Sequence, residues 1–273
     1  MEKIAVLVIL AVVVLVFLKL RANRQDGYKI QTDFWEKKEK RVMGDFIGRP
    51  QAIALLGDIS GKKVLEAGCG SGYVARILAM KGAEVYGCDI APEMLKISMA
   101  EEKLNPLGIN YINANIARIP YPDNSFDMIM SVSALIHCDT DTIQGFLKEA
   151  KRILKPNGIL VISISHPFLF TPLSPTRNKE KCWIKHTPLA ASLFYSQSQR
   201  FKEDYMDKNG KIFTSTVWHH PICSYLNWIT VSGFTIEYMQ ELLVEKQHLL
   251  NEAWGKKFNY PAFMQFKLRK PIR

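Results

Sequence analysis

Cysteine is sparse in this chain and falls into no metal-binding or disulfide pattern. The five residues, Cys69, Cys88, Cys138, Cys182 and Cys223, are odd in number and form no C-x-x-C pair. That argues against a disulfide framework and against a structural zinc site. The six histidines are dispersed without ligand-like spacing, so no metal is expected. Free thiols suit a reducing compartment, and Cys69, Cys88 and Cys138 lie in apolar segments where cysteine serves as a small core residue. Internal repeats and low-complexity tracts are missing too. Acidic residues are outnumbered, 26 against 36 Lys and Arg, which leaves a formal net charge of +10. A basic chain suits nucleic acid, anionic lipid or an anionic substrate. Yet the basic residues are scattered, from Lys19, Arg21 and Arg24 to Arg177, Lys179, Lys181 and Lys185. No patch interleaves them with aromatics as a single-strand nucleic-acid groove would.

What is present is enough for a core. The chain has 273 residues, 48% hydrophobic and 23% charged, which suits one α/β domain with additions. It begins with a run free of charge and polar groups, Ile4 to Leu18. The run is shorter than the ~20 residues of a membrane span, but Lys3 and Lys19 can snorkel and lengthen it. A cleaved signal peptide needs a small-residue site after the run; Lys19-Leu20-Arg21 stands there instead, favouring an uncleaved anchor. Lys19, Arg21, Arg24 and Lys29 follow the run, and the positive-inside bias then puts the remainder of the chain in the cytoplasm. Residues 1–24 are read as anchor and basic flank, 25–60 as one or two helices, and 61–273 as the main domain.

From residue 63 the pattern alternates. Strands are expected at 63–66, 84–88, 109–114, 127–131 and 159–165, with helices at 73–80, 92–102 and 141–154 between them. Apolar strands alternating with helices predict a parallel sheet covered on both faces. Residues 166–221 break the rhythm with prolines, aromatics and scattered charge, and read as an insertion over the open end of the sheet. A helix at 224–231 and two strands at 234–242 and 263–268 close the chain.

The sharpest motif is Val64-Leu65-Glu66-Ala67-Gly68-Cys69-Gly70-Ser71-Gly72, joining the first strand to its helix. Its glycines allow a tight turn and close approach of a ligand. A dinucleotide fingerprint, G-x-G-x-x-G, would put its third glycine at 73, where Tyr73 stands. A carboxylate inside the motif, Glu66, would repel a pyrophosphate but attract an ammonium. Asp89 ends the second strand, where a carboxylate can accept from two ribose hydroxyls, or cap the helix that starts at Pro92.

Together with Asn115-Ile116-Ala117-Arg118-Ile119-Pro120-Tyr121-Pro122-Asp123-Asn124-Ser125-Phe126-Asp127 and Leu154-Lys155-Pro156-Asn157-Gly158, these pieces resemble the class I S-adenosylmethionine (SAM)-dependent methyltransferases, the group that includes ubiquinone- and menaquinone-pathway and other small-molecule enzymes. The resemblance is strong over about residues 45–165 and weak at 219–240 and the last strand. It implies a three-layer, Rossmann-like α/β fold with a seven-stranded sheet whose last strand is antiparallel. It also implies SAM as cofactor. Glu66, Gly68 and Gly70 would line the methionine end, Asp89 would hold the ribose, and Ile90 and Met94 would flank the adenine. Asn115 and Ile116 would meet the adenine amino group, and Cys69, Gly72 and Ser131 complete the expected cofactor set. Two positions depart from the family pattern: Asn115 replaces the usual Asp, and Pro-Asn-Gly replaces Pro-Gly-Gly at 156–158.

Methyl transfer from a sulfonium needs alignment and exclusion of water, and a base only where the acceptor loses a proton. His137, after the fourth strand, and His166, after the fifth, are the candidate bases, each with a packing role as the alternative. His219-His220 is read as an exposed loop pair or a closing element. Phe194, Tyr195, Phe201, Tyr205, Phe213 and Trp218 are candidates to line an apolar acceptor pocket. The loop Ser131–Asp139 lacks the Asn/Asp-Pro-Pro-aromatic tetrad of amino-methylating nucleic-acid enzymes and the paired glutamates of arginine methyltransferases. The expected function is therefore methylation of a small-molecule or lipid-like acceptor. RNA methylation, or SAM binding without catalysis, are the competing readings.

Overall fold

The computed structural model describes residues 47–167, 196–206, 212–243 and 261–272. The expected anchor, the helices anticipated before residue 47 and the basic residues at 177–185 lie outside these. The first described helix is α1 (Arg49–Leu56), opened by Pro50 in its first turn. Strand β1 (Lys63–Ala67) and helix α2 (Tyr73–Met80) follow, then β2 (Glu84–Asp89), α3 (Pro92–Leu104) and β3 (Asn110–Asn113). Next come β4 (Phe126–Val132), a 3₁₀ turn at Leu135–His137, α4 (Thr140–Ile153) and β5 (Leu154–Ser165). A hairpin, β6 (Gln199–Met206) and β7 (Ile212–His219), precedes α5 (Ile222–Val231), β8 (Thr235–Leu242) and β9 (Phe263–Arg269).

Seven strands form one sheet in the order β3-β2-β1-β4-β5-β9-β8. Pairs among β1 to β5 are parallel, while β9 runs antiparallel to both β5 and β8. The apolar strands place alternate residues on opposite faces. Val64, Val85, Met130 and Val161 pack with α1 and α2 on one side; Leu65, Ile129, Leu160 and Phe266 pack with α4 and α5 on the other. Helix α4 shows why its sequence chose this place. Ile143, Phe146, Leu147, Ala150 and Ile153 recur at helical spacing and are all buried. Asp139 caps it, its Oδ1 accepting from the Thr142 amide at 2.9 Å.

Strand order reverses between β1 and β4, because β2 and β3 extend to one side of β1 and β4 and β5 to the other. A crevice forms outside the carboxyl ends of strands at such a switch point, where open α/β sheets bind ligands. The expected sheet and its antiparallel last strand are as observed. Two expectations change. Strand β5 starts at Leu154 rather than 159, because Leu154 pairs with Phe126 across an irregularity in the ladder. Within residues 166–221, read as an insertion without assigned elements, stands the β6–β7 hairpin, paired from Gln199–His219 to Met206–Ile212.

Candidate functional site

The glycine loop leaves β1 with Gly68, Gly70 and Gly72 at φ of 77°, 53° and 79°, a region side chains rarely enter. The space is as tight as the backbone. A Cβ on Gly68 would collide with the Ala134 methyl, and one on Gly70 would meet Met94 Cε at 3.2 Å. Ala134 belongs to the turn after β4, so the two central strands of the switch point send their loops against each other. That turn is itself constrained: Ser133 has a φ of 58°, and its amide donates to the Ser163 carbonyl at 2.7 Å. A non-glycine residue held at positive φ beside a cleft is a common mark of a functional turn.

Two carboxylates flank the loop. Glu66 is buried, 3% exposed, and its Oε2 accepts from the Ala75 amide at 2.7 Å in the first turn of α2. Burial pushes its carboxyl up to about 8, opposed by that amide and by Arg49. Asp89 accepts from the Gly70 amide through Oδ2 at 2.8 Å and from the Ala91 amide through Oδ1 at 2.9 Å. It is not the N-cap of α3, which is Ala91: it ties the glycine loop to the end of β2, and each oxygen keeps a lone pair for a further donor. Burial raises its pKa, countered by the two amides and by His137 nearby.

The remaining expected cofactor residues surround this pair. Ile90, next to Asp89, is 48% exposed although apolar, and Met94 lies over Gly70. Asn115 is exposed and its Oδ1 accepts from the Ala117 amide at 2.9 Å, which fixes the turn before buried Ile116. Cys69 is buried, and its thiol is raised well above its ordinary value by burial and the two carboxylates, which makes it an inert lining group. Ser131 is fully buried near the end of β4, with its hydroxyl lacking a hydrogen-bond partner among the described residues. These features fit an adenosyl amino acid: a cradle without side chains, a carboxylate with spare acceptors, exposed apolar walls and an orphaned hydroxyl.

The candidate bases part company. His137 sits on the turn after β4, and its Nδ1 lies 3.0 Å from the Thr216 carbonyl of β7. A carbonyl only accepts, so Nδ1 carries the proton and Nε2 of the neutral ring keeps its lone pair. Burial lowers the pKa of this ring, against the Thr216 bond and Asp89. His166 is not brought to the loop. Its Nε2 meets Glu241 Oε1 of β8 at 3.0 Å, on the outermost strand of the sheet.

The pair His219 and His220, anticipated as exposed, is buried at 0% and 1%. His220 Nε2 lies 2.9 Å from the Cys138 carbonyl and its Nδ1 2.9 Å from Ser198 Oγ; His219 Nδ1 lies 3.2 Å from the Pro167 carbonyl. Trp218 stacks on His220 with rings 5.7 Å apart. Of the aromatic residues considered for an acceptor pocket, Trp218 is the one whose side chain is described. Sequence reasoning missed Tyr111, whose buried hydroxyl has no partner among the described residues and whose ring fills the space left by Gly72 and Gly87. It missed the Thr216 carbonyl as well, since nothing in the residue type marks a main-chain acceptor.

Fold and site together define a Rossmann-like domain built to hold a nucleoside joined to a small zwitterion. Residues 65–162 match the family described as "Methyltransferase domain". A demethylmenaquinone methyltransferase of Tropheryma whipplei (strain Twist) is 40% identical over 124 residues, 45% of this chain and 50% of that protein. A malonyl-[acyl-carrier protein] O-methyltransferase of Enterobacter lignolyticus is 32% identical over 118 residues, 42% of this chain and 45% of that protein. This chain thus spans about half the length of these curated relatives. A SAM-dependent methyltransferase crystal structure from Mesorhizobium loti superposes with a TM-score of 0.60 at 20% identity, over 84% of this chain and 98% of that one. Over residues 65–162 this chain is similar to the SAM-dependent methyltransferases, whose cofactor is SAM.

Proposed function

We propose that this protein methylates a small-molecule or lipid-like acceptor, using SAM. The observation that carries the reading is the contact of the glycine loop with the turn after β4, which brings Gly68, Asp89 and His137 to one crevice. When bound, SAM supplies an electrophilic methyl group on a good leaving group. The chain's own work is to bind, orient and exclude water. Asp89 offers its remaining lone pairs to a ribose, and Glu66 offers an anion to an ammonium. The β6–β7 hairpin, held by His137 and His220 to the turn after β4, covers the acceptor side. Where the acceptor must lose a proton, His137 Nε2 receives it, with the Thr216 carbonyl fixing the tautomer.

The relatives support a small acceptor: one is named for demethylmenaquinone and another for malonyl-acyl-carrier protein. For location, the proposal keeps the apolar run at residues 4–18 as an anchor, with the catalytic part cytoplasmic and its crevice near the bilayer. Among the described residues no helix is long and apolar enough to cross a membrane, so this rests on the sequence alone. The test is transfer of a labelled methyl group from SAM into membrane and soluble extracts. His137→Gln should lower transfer about a hundredfold or more, the range for loss of a positioned base, while SAM affinity stays within about twofold. Equal transfer by both proteins would remove His137 from the chemistry.

A further inference from the structure

A second site lies at the opposite end of the sheet from the crevice, by the amino-terminal ends of β4 and β5. It is a groove of about 600 Å³ between the last turns of α4 and α5. Its walls come from the turn before β4, with Asp123 and Asn124, and from Lys270 just after β9. This size is within the range of small-molecule sites. None of its residues is used by the chemistry described above.

The groove is electrostatically uncompensated. Lys148, Lys151, Arg152 and Lys270 line it against one carboxylate, Asp123. Arg152 is matched, with Asp123 at 2.8 Å and Glu149 at 2.8 Å. The three lysines have no carboxylate partner among the described residues. Lys270 Nζ donates instead to neutral acceptors, Asn124 Oδ1 at 2.9 Å and the Leu154 carbonyl at 2.6 Å. Its ammonium is pushed below the usual lysine range by burial and by Lys151, with Asp123 opposing. Lys151 is held close because Gly233 leaves room for its ammonium at the end of α5, where the helix dipole favours a cation. Asn227 adds an amide to the wall, and Val231, 88% exposed, forms an apolar lip. Like charges gathered without counter-ions repel one another, and an anion bound among them removes that cost.

We propose that this groove binds the phosphate group of a phosphate ester, whether a lipid headgroup or a free small molecule. The lysines supply point charges for phosphate oxygens, and the lip at Val231 accommodates the attached carbon chain. This site is independent of the methyl-transfer reading. The test uses the full chain and the double variant Lys148→Gln/Lys151→Gln, with SAM affinity as the check that the crevice is intact. Inorganic phosphate and glycerol 3-phosphate are titrated against thermal stability. In parallel, co-sedimentation is compared on vesicles of neutral phosphatidylcholine and of the same lipid with one fifth phosphatidic acid.

Stabilisation by the soluble phosphates, reduced about tenfold in apparent affinity in the variant, supports the site with a free ligand. A preference for the anionic vesicles that the variant loses supports a lipid headgroup as the source. If neither phosphates nor anionic vesicles tell the two proteins apart while SAM affinity matches, the proposal is overturned. It is equally overturned if the variant loses binding to a single-stranded RNA oligonucleotide only, for then the cations serve a polyanion track.

Discussion

The two sides of the crevice are built by different means. The cofactor side is made of backbone: glycines at positive φ, amides directed at Asp89, and strand ends whose places follow from the sheet. The side proposed for the acceptor is made of distant contacts, with ring nitrogens of His137 and His220 joined to main-chain carbonyls on segments some 80 residues away in sequence. The first kind of construction tolerates almost no change at its glycines but asks little of the rest of the chain. The second can be rebuilt residue by residue, which suits a surface that must fit one acceptor among many.

The comparison can be broken most severely at Gly68. An Ala there faces both the φ of 77° and the collision with Ala134. We expect SAM affinity to fall about a hundredfold or more, on the order of 3 kcal/mol, with lowered thermal stability. Calorimetric titration checks this, and near-normal affinity would show that the loop is not the cradle. On the acceptor side, His220→Phe keeps the ring stack but loses both hydrogen bonds, a cost of about 1–3 kcal/mol for buried partners left unpaired. Hydrogen exchange of amides 212–219 should then quicken about tenfold, with SAM affinity changed less than about twofold. A parallel loss of SAM affinity would mean that the two sides are one unit.

Glu66 sharpens the contrast by pH. Its folded carboxyl titrates near 8, above the ordinary value, so the folded protein holds a proton that the unfolded chain releases. The stability this gives is full at pH below about 4.5 and is lost as pH rises through about 8, with a slope approaching 1.4 kcal/mol per pH unit in between. Glu66→Gln should flatten the fall in denaturation midpoint between pH 5.5 and 8. Near pH 7, cofactor binding to the natural protein should release close to one proton, seen as different binding enthalpies in two buffers of unlike ionisation heat. The variant should release none. Identical buffer dependence in both proteins would separate Glu66 from the ammonium.

Most of the sheet was legible because its signals are local. Helix α2 begins and ends where the motif predicts, at Tyr73 and Met80, and the apolar positions of α4 recur at helical spacing. The glycine loop and Asp89 were legible for the same reason, since a turn, a strand end and a carboxylate suffice to place them. The hairpin was not: β6 and β7 mix polar and aromatic residues without a steady alternation, and their order comes from pairing with each other and from docking on the turn after β4. The burial of His219 and His220 was hidden likewise, because a histidine pair reads as surface until a carbonyl such as that of Cys138 is brought to it. His166 shows the converse. Its position after β5 placed it at the right edge of the sheet, but Glu241 on β8 claims its ring.

The most direct measurement is calorimetric titration of the full chain with SAM and, separately, NAD, alongside Asp89→Ala. The account predicts that SAM binds, NAD does not, and the variant loses about tenfold or more of the SAM affinity, in keeping with the loss of charge-assisted hydrogen bonds. A folded protein that ignores SAM, or that binds it equally well without the Asp89 carboxylate, would contradict it.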